Sequence, residues 1–146
     1  MNTSPTYTII IPVYNSTGTL RELAARLVSQ CQELNEPFEL IFVNDYSKDD
    51  SWSVLKSIKD NYPEISIVLI SLGRNYGQHN ATLCGMNHVT GQFVITLDDD
   101  LQNPPEEIPK LIAAMKDSDL DIVYGIGNNR QSAYRKAGSA IWKKSS

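Results

Sequence analysis

The sequence predicts an α/β fold, with a mainly parallel sheet flanked by helices. Three observations carry that expectation. Apolar, β-branched runs of strand length recur along the chain. Amphipathic stretches of helical period separate them, at a repeat of about 30 residues, the size of a strand–helix–strand unit. The unusual polar residues follow the ends of the apolar runs, and so fall at one edge of the predicted sheet.

The first strand is predicted at Tyr7–Val13 (YTIIIPV), whose nearly unbroken apolar character suits a parallel strand covered on both faces. Leu20, Leu23, Ala24, Leu27, Val28 and Cys31 then share one helical face. A second strand follows at Glu39–Val43. The next helix carries Trp52, Leu55 and Ile58, with Asp50 or Ser51 as its cap. Ile65–Leu72 is the third strand, Ala81–His88 a helix, and Phe93–Leu97 the fourth strand. Pro105–Met115 is helical. Pro105 suits a first turn, where its missing N–H costs nothing, and Glu106 and Glu107 complement the positive helix end. Asp121–Tyr124 is the fifth strand, residues 125–129 read as a loop, and Ser132–Lys144 as a last helix. In that helix Tyr134, Ala137, Ile141 and Trp142 share an apolar face flanked by Arg135, Lys136, Lys143 and Lys144. The chain thus divides into an α/β domain over residues 1–129 and a basic amphipathic C-terminal segment of the same domain over 130–146.

A length of 146 residues suits one domain. The net charge of −4 argues against a nucleic-acid partner. The charge is uneven: residues 130–146 hold five basic residues and no acidic one, leaving −9 on the rest. A basic amphipathic helix with Trp suits a membrane surface or another anionic partner, against the plainer reading of a helix packed on the sheet. No apolar run approaches the roughly 20 residues of a membrane span, and no signal peptide is visible. Cys31 and Cys84 lack metal-ligand spacing and read as buried thiols of a reducing compartment; His79 and His88 likewise lack a ligand pattern.

Ligands of open α/β sheets bind beyond the carboxyl ends of the strands. There the sequence places Pro12-Val13-Tyr14-Asn15-Ser16, Asn44-Asp45-Tyr46-Ser47, Gly73-Arg74-Asn75-Tyr76-Gly77-Gln78 and Asp98-Asp99-Asp100-Leu101-Gln102. No GxGxxG follows the first strand, and no GxxxxGK[ST] occurs, so dinucleotide and P-loop sites are set aside. Adjacent carboxylates repel unless protonated or neutralised by a cation. Hard oxygen donors suit Mg²⁺ or Mn²⁺. In an extended segment Asp98 and Asp100 point the same way, with Gln102 behind them, which makes these three the candidate metal residues. The competing reading of the acidic run is a solvated turn that caps the helix at Pro105.

These strings resemble family 2 glycosyltransferases of the GT-A fold. Ile11-Pro12-Val13-Tyr14-Asn15 is similar to the family's IPVYN(E), and Val43-Asn44-Asp45-Tyr46-Ser47-Lys48-Asp49 to its V(D/N)DGSxD. Arg74-Asn75-Tyr76-Gly77 is similar to RN(F/Y)G, and Asp98–Pro105 to DADLQ(D/N)PP. The last string resembles the branch acting on polyprenyl phosphates, such as dolichyl-phosphate mannose synthases. Asn129-Arg130-Gln131-Ser132 with Arg135-Lys136 resembles undecaprenyl-phosphate 4-deoxy-4-formamidoarabinose transferases.

The resemblance implies transfer of a sugar from a nucleoside-diphosphate sugar to a polyprenyl phosphate, with inversion. It places Pro12, Tyr14, Asn15 and Asp45 around the nucleoside, with Arg74, Asp98 and Asp99 on the nucleotide side. Asp98, Asp100 and Gln102 would hold Mg²⁺ or Mn²⁺, and Arg130 or Arg135 would meet the acceptor phosphate. It also implies a place at the cytoplasmic face of a membrane and a chain that is part of a longer protein. The sequence departs from the pattern at Ser16, where the family has Glu, at Tyr46, where it has Gly, and at Asp99, where it has Ala. No general base is identifiable. The alternatives are a family 2 transferase acting on a saccharide hydroxyl, a catalytically incomplete nucleotide-binding fragment, and a sugar nucleotidyltransferase, which needs a Gly-rich basic loop this sequence lacks.

Overall fold

The computed structural model describes residues 4–117, 122–126 and 137–143. Strands β1 (Tyr7–Val13), β2 (Phe38–Asn44), β3 (Ser66–Ser71) and β4 (Phe93–Leu97) alternate with helices α1 (Leu20–Glu33), α2 (Ser51–Asn61) and α3 (Gln78–Met86). A 3₁₀ turn at Pro105–Glu107 leads into α4 (Ile108–Asp117), followed by β5 (Ile122–Ile126) and β6 (Ala137–Lys143). The sheet is six-stranded, in the order β3-β2-β1-β4-β6-β5. β1 to β4 are parallel neighbours, and β6 is antiparallel to both β4 and β5.

Side-chain alternation explains why the apolar runs are unbroken. Ile9, Ile11 and Val13 of β1, with Leu40 and Phe42 of β2 and Ile95 and Leu97 of β4, face the larger core formed with α1, α2 and α4. Ile10, Ile41, Val43 and Val94 face the opposite side, where Ala81 of α3 packs. Both faces are covered, so both halves of the two-residue period are mainly apolar, with buried polar residues such as Thr8, Glu39 and Asn44 near the strand ends. α3 lies close because Gly85 is small: a Cβ there would sit 2.6 Å from the Ile10 side chain. Cys31 is buried in the larger core, and burial pushes its thiol up to about 12; Cys84 is half-buried and also free.

The opposite edge of the sheet, at the start of the strands, is pinned by a buried carboxylate. Glu39 Oε1 accepts hydrogen bonds from Thr8 Oγ1 (2.6 Å), Thr90 N (2.9 Å) and Thr90 Oγ1 (2.8 Å). Gly91 N donates in turn to Thr8 Oγ1 (2.9 Å). This network fixes the loop that delivers β4 alongside β1.

Two expectations at the C-terminal end are corrected. Gly125 and Ile126 belong to β5 rather than to a loop. The helix expected over 132–144 is absent where the chain is described: Ala137–Lys143 is a strand. Ile141 pairs with Ile95 and Trp142 with Val94. Ile141 therefore enters the larger core while Trp142 packs on the opposite face, so they cannot share one apolar face. Tyr134, Arg130 and Arg135 lie outside the described residues.

Candidate functional site

The strand order places a topological switch point beside β1. From β1 the chain runs outward through β2 and β3, then returns to lay β4 on the other side of β1. The loop leaving β1 enters α1 on one face of the sheet and the loop leaving β3 enters α3 on the other, which opens a crevice at the carboxyl ends of the strands. A cleft of about 380 Å³ occupies that position. Pro12, Val13 and Tyr14 from the end of β1, Asp45 from β2 and Asp99 from β4 line it. Asn75, Gly77 and Gln78, from the segment between β3 and α3, complete the wall.

Asp45 is 2% exposed, and both its oxygens are engaged. Oδ1 accepts from Tyr76 N (2.7 Å) and Oδ2 from Gly77 N (2.9 Å). Its backbone carbonyl accepts from Asn75 Nδ2 (3.2 Å). Gly77 is the N-cap of α3 and has φ 91, a conformation that only glycine adopts without cost. The Asp45 carboxylate thus sits against the positive end of α3 and fixes the loop after β3 to the end of β2.

The acidic run divides its duties. Asp99 faces the loop after β1: Oδ2 accepts from Tyr14 N (2.9 Å) and from the Ser16 hydroxyl. Thr19 Oγ1 donates to the Asp99 carbonyl (2.6 Å). Asp98 faces α3, its Oδ1 accepting from Gln78 Nε2 (2.5 Å). Asp100 is exposed, and its Oδ1 accepts from Gln102 N (3.1 Å) in a local turn that precedes the 3₁₀ turn. Leu101 there has φ 62. Among the described residues no group of three or more His, Cys, Asp or Glu side chains converges as a metal cluster. The extended geometry expected to aim Asp98 and Asp100 the same way is replaced by a turn after β4, and neither of the two lines the cleft.

Asn15 and Arg74, also expected at the site, are not among the residues that line the cleft. Asn15, with φ 50, donates its N–H to Ser47 Oγ (3.0 Å) and accepts from Lys48 N (2.8 Å), which joins the loops after β1 and β2. Arg74 is exposed and stacks over the Tyr76 ring at 5.4 Å. Burial opposes ionisation of Asp49, but hydrogen bonds from Ser51 and Thr17 outweigh it and bring its carboxyl to about 2. Asp50 holds the N-cap position of α2 as expected but makes no side-chain cap bond, and Asp49 Oδ1 takes the Ser51 N–H (2.9 Å) instead. Val13, Asn75, Gly77 and Gln78 were not among the expected site residues. Position after a strand end is the signal that marks them.

Tyr14, Tyr46 and Tyr76 are exposed by 44%, 52% and 49% on this edge. Tyr46, which stands where the family pattern has Gly, has φ 60, a left-handed conformation that strains a tyrosine. Tyr46→Gly is expected to raise stability by about 0.5–1 kcal/mol, the steric relief exceeding glycine's entropic cost. Urea unfolding midpoints check this; a fall in midpoint would contradict it.

Residues 8–143 match the family model described as glycosyl transferase family 2. An undecaprenyl-phosphate 4-deoxy-4-formamido-L-arabinose transferase of Sodalis glossinidius is 47% identical over 91% of this chain and 40% of its own length. A protein of the same name from Enterobacter sp. is 45% identical over the same shares. The chain spans about 40% of the length of these curated relatives. Among solved structures, a mannosyltransferase from Pyrobaculum calidifontis in complex with GDP-Man and Mn²⁺ superposes with a TM-score of 0.80 at 19% identity, covering 97% of this chain and 45% of that one. Glucosyl-3-phosphoglycerate synthase from Mycobacterium tuberculosis, solved with Mn²⁺, UDP and glucosyl-3-phosphoglycerate, gives 0.66 at 16% identity, over 95% and 57%. The structural neighbours share the GT-A fold. With a family match that runs from β1 to the end of β6, this chain belongs to glycosyl transferase family 2.

Proposed function

We propose that this chain forms the nucleotide-sugar-binding part of a metal-dependent glycosyltransferase that passes a sugar to a polyprenyl phosphate with inversion. The observation that carries the proposal is the cleft at the switch point, with the Asp45-anchored start of α3 on one side and the acidic end of β4 on the other. The names of the relatives support undecaprenyl phosphate as acceptor and 4-deoxy-4-formamido-L-arabinose as the sugar. Such an acceptor supports work at the cytoplasmic face of a membrane. Among the described residues no helix is long and apolar enough to cross one.

The donor set fits a divalent cation. Mg²⁺ and Mn²⁺ sites that also bind phosphates commonly use only one or two carboxylates, the substrate supplying further oxygens. Asp98, bonded to the cleft residue Gln78, and the exposed Asp100 in the turn after it are the two carboxylates this reading assigns to the cation, and Gln102 lies in the turn that Asp100 closes. When bound, the cation would neutralise charge on the leaving diphosphate. Pro12 and Tyr14 wall the nucleoside side. Asp45 acts from behind by holding the Tyr76–Gly77 backbone, and the second lone pair of each oxygen is available to a base N–H. A phosphate acceptor is already anionic near neutral pH, so its attack needs no strong general base, and Arg130 or Arg135 would steady its charge.

Calorimetric titration with UDP, GDP and dTDP, with and without Mn²⁺, tests the reading. Binding of at least one nucleotide should strengthen about tenfold or more with Mn²⁺, and Asp100→Ala should abolish that gain. Absence of metal-dependent binding for all three nucleotides would overturn the proposal.

A further inference from the structure

We infer that Asp99 is a positioning residue which, through Tyr14 and Ser16, holds the nucleoside wall of the cleft. The inference rests on the nucleotide-site reading above and deepens it. Three groups of the loop between β1 and α1 converge on this one residue: Tyr14 N, the Ser16 hydroxyl and Thr19 Oγ1. The loop needs such a tether. Asn15 turns through φ 50, and Tyr14 is 44% exposed, so packing alone does little to hold its ring at the cleft. Ser51 Oγ accepts Ser16 N (2.9 Å) on the other side, so the loop is held between the ends of β4 and the start of α2.

The geometry also accounts for two departures from the family pattern at once. Ser16 and Asp99 are in direct contact. A glutamate at position 16 would bring a second carboxylate against Asp99, and like charges so close disfavour each other. Serine at 16 and aspartate at 99 form a matched donor–acceptor pair.

One feature separates positioning from direct use of the Asp99 charge. The Tyr14 and Ser16 donors both meet a single oxygen, Oδ2. An asparagine amide oxygen can accept both. Asp99→Asn should therefore keep UDP affinity in the presence of Mn²⁺ within about threefold of the parent, whereas Asp99→Ala should lose about tenfold. Ser16→Glu should lose a similar amount, and Ser16→Glu/Asp99→Ala should bind no worse than Asp99→Ala alone, because the repulsion is gone. Hydrogen exchange at the Tyr14 amide reads the tether without any nucleotide: protected in the parent and in Asp99→Asn, unprotected in Asp99→Ala. Melting curves establish that each variant is folded. An Asp99→Asn variant that falls as far as Asp99→Ala in affinity, or a Tyr14 amide indifferent to Asp99→Ala, would overturn the inference. If the parent bound none of UDP, GDP and dTDP with Mn²⁺, the nucleotide reading would fail by itself; if it bound GDP or dTDP instead of UDP, the same comparison is made with that nucleotide, and in either case the exchange pattern decides whether Asp99 holds Tyr14.

Discussion

Asp45→Ala is expected to destabilise the chain by about 2–4 kcal/mol and to lower nucleotide affinity together with stability. The carboxylate is buried and answers two backbone donors, Tyr76 N at 2.7 Å and Gly77 N at 2.9 Å. Alanine would leave both without their partner and remove a negative charge from the positive end of α3. Asparagine is not expected to rescue. Each Asp45 oxygen meets a separate N–H, so the amide nitrogen must oppose one of them. This contrasts with Asp99, where both donors share one oxygen. Urea unfolding of the parent and both variants measures the first effect, and titration with nucleotide and Mn²⁺ the second. Parent-like unfolding of Asp45→Asn would show that the loop after β3 does not depend on the pair of bonds.

The other large effect is expected at the far edge of the sheet. Gly91→Ala would place a Cβ 2.7 Å from Thr8 Oγ1, 2.8 Å from Thr8 N and 2.9 Å from the Tyr7 carbonyl carbon. Two of these neighbours are backbone atoms of β1, which is bonded to β2 on one side and β4 on the other and cannot yield. Relief must come from displacing the loop before β4, which breaks the Gly91 N bond to Thr8 and disturbs the Glu39 network. The expected loss is about 3 kcal/mol. Gly73→Ala is the control, because a Cβ there meets nothing within 4 Å. Thermal or urea unfolding should separate the two clearly; equal stabilities would mean that the close approach at Gly91 is easily relaxed.

The parallel half of the fold was legible because its strands are covered on both faces. Tyr7–Val13 and Phe93–Leu97 were read with the boundaries observed, and the other ends differ by a residue or two. β6 was not legible. AGSAIWK between basic residues fits a helical face as well as a strand, and its state is set by Ile141 and Trp142 reaching opposite cores through pairing with β4. The site was legible as a place, since strand ends meet at one edge. The duties within it were not. Asp45 and Asp99 act largely on backbone N–H groups, which every residue but proline carries and which therefore leave no mark in the sequence.

The position of β6 has a consequence for the order of assembly. Among the described residues β5 pairs with the sheet through β6, although it precedes β6 in the chain. The four-stranded parallel half is closed by successive neighbours and requires nothing beyond Leu97 to complete its ladder. β5 therefore joins the sheet through its pairing with residues 137–143, which lie between it and β4. As the chain emerges during synthesis, the parallel half that carries the cleft can take shape first, and β5 and β6 complete the far edge of the described sheet.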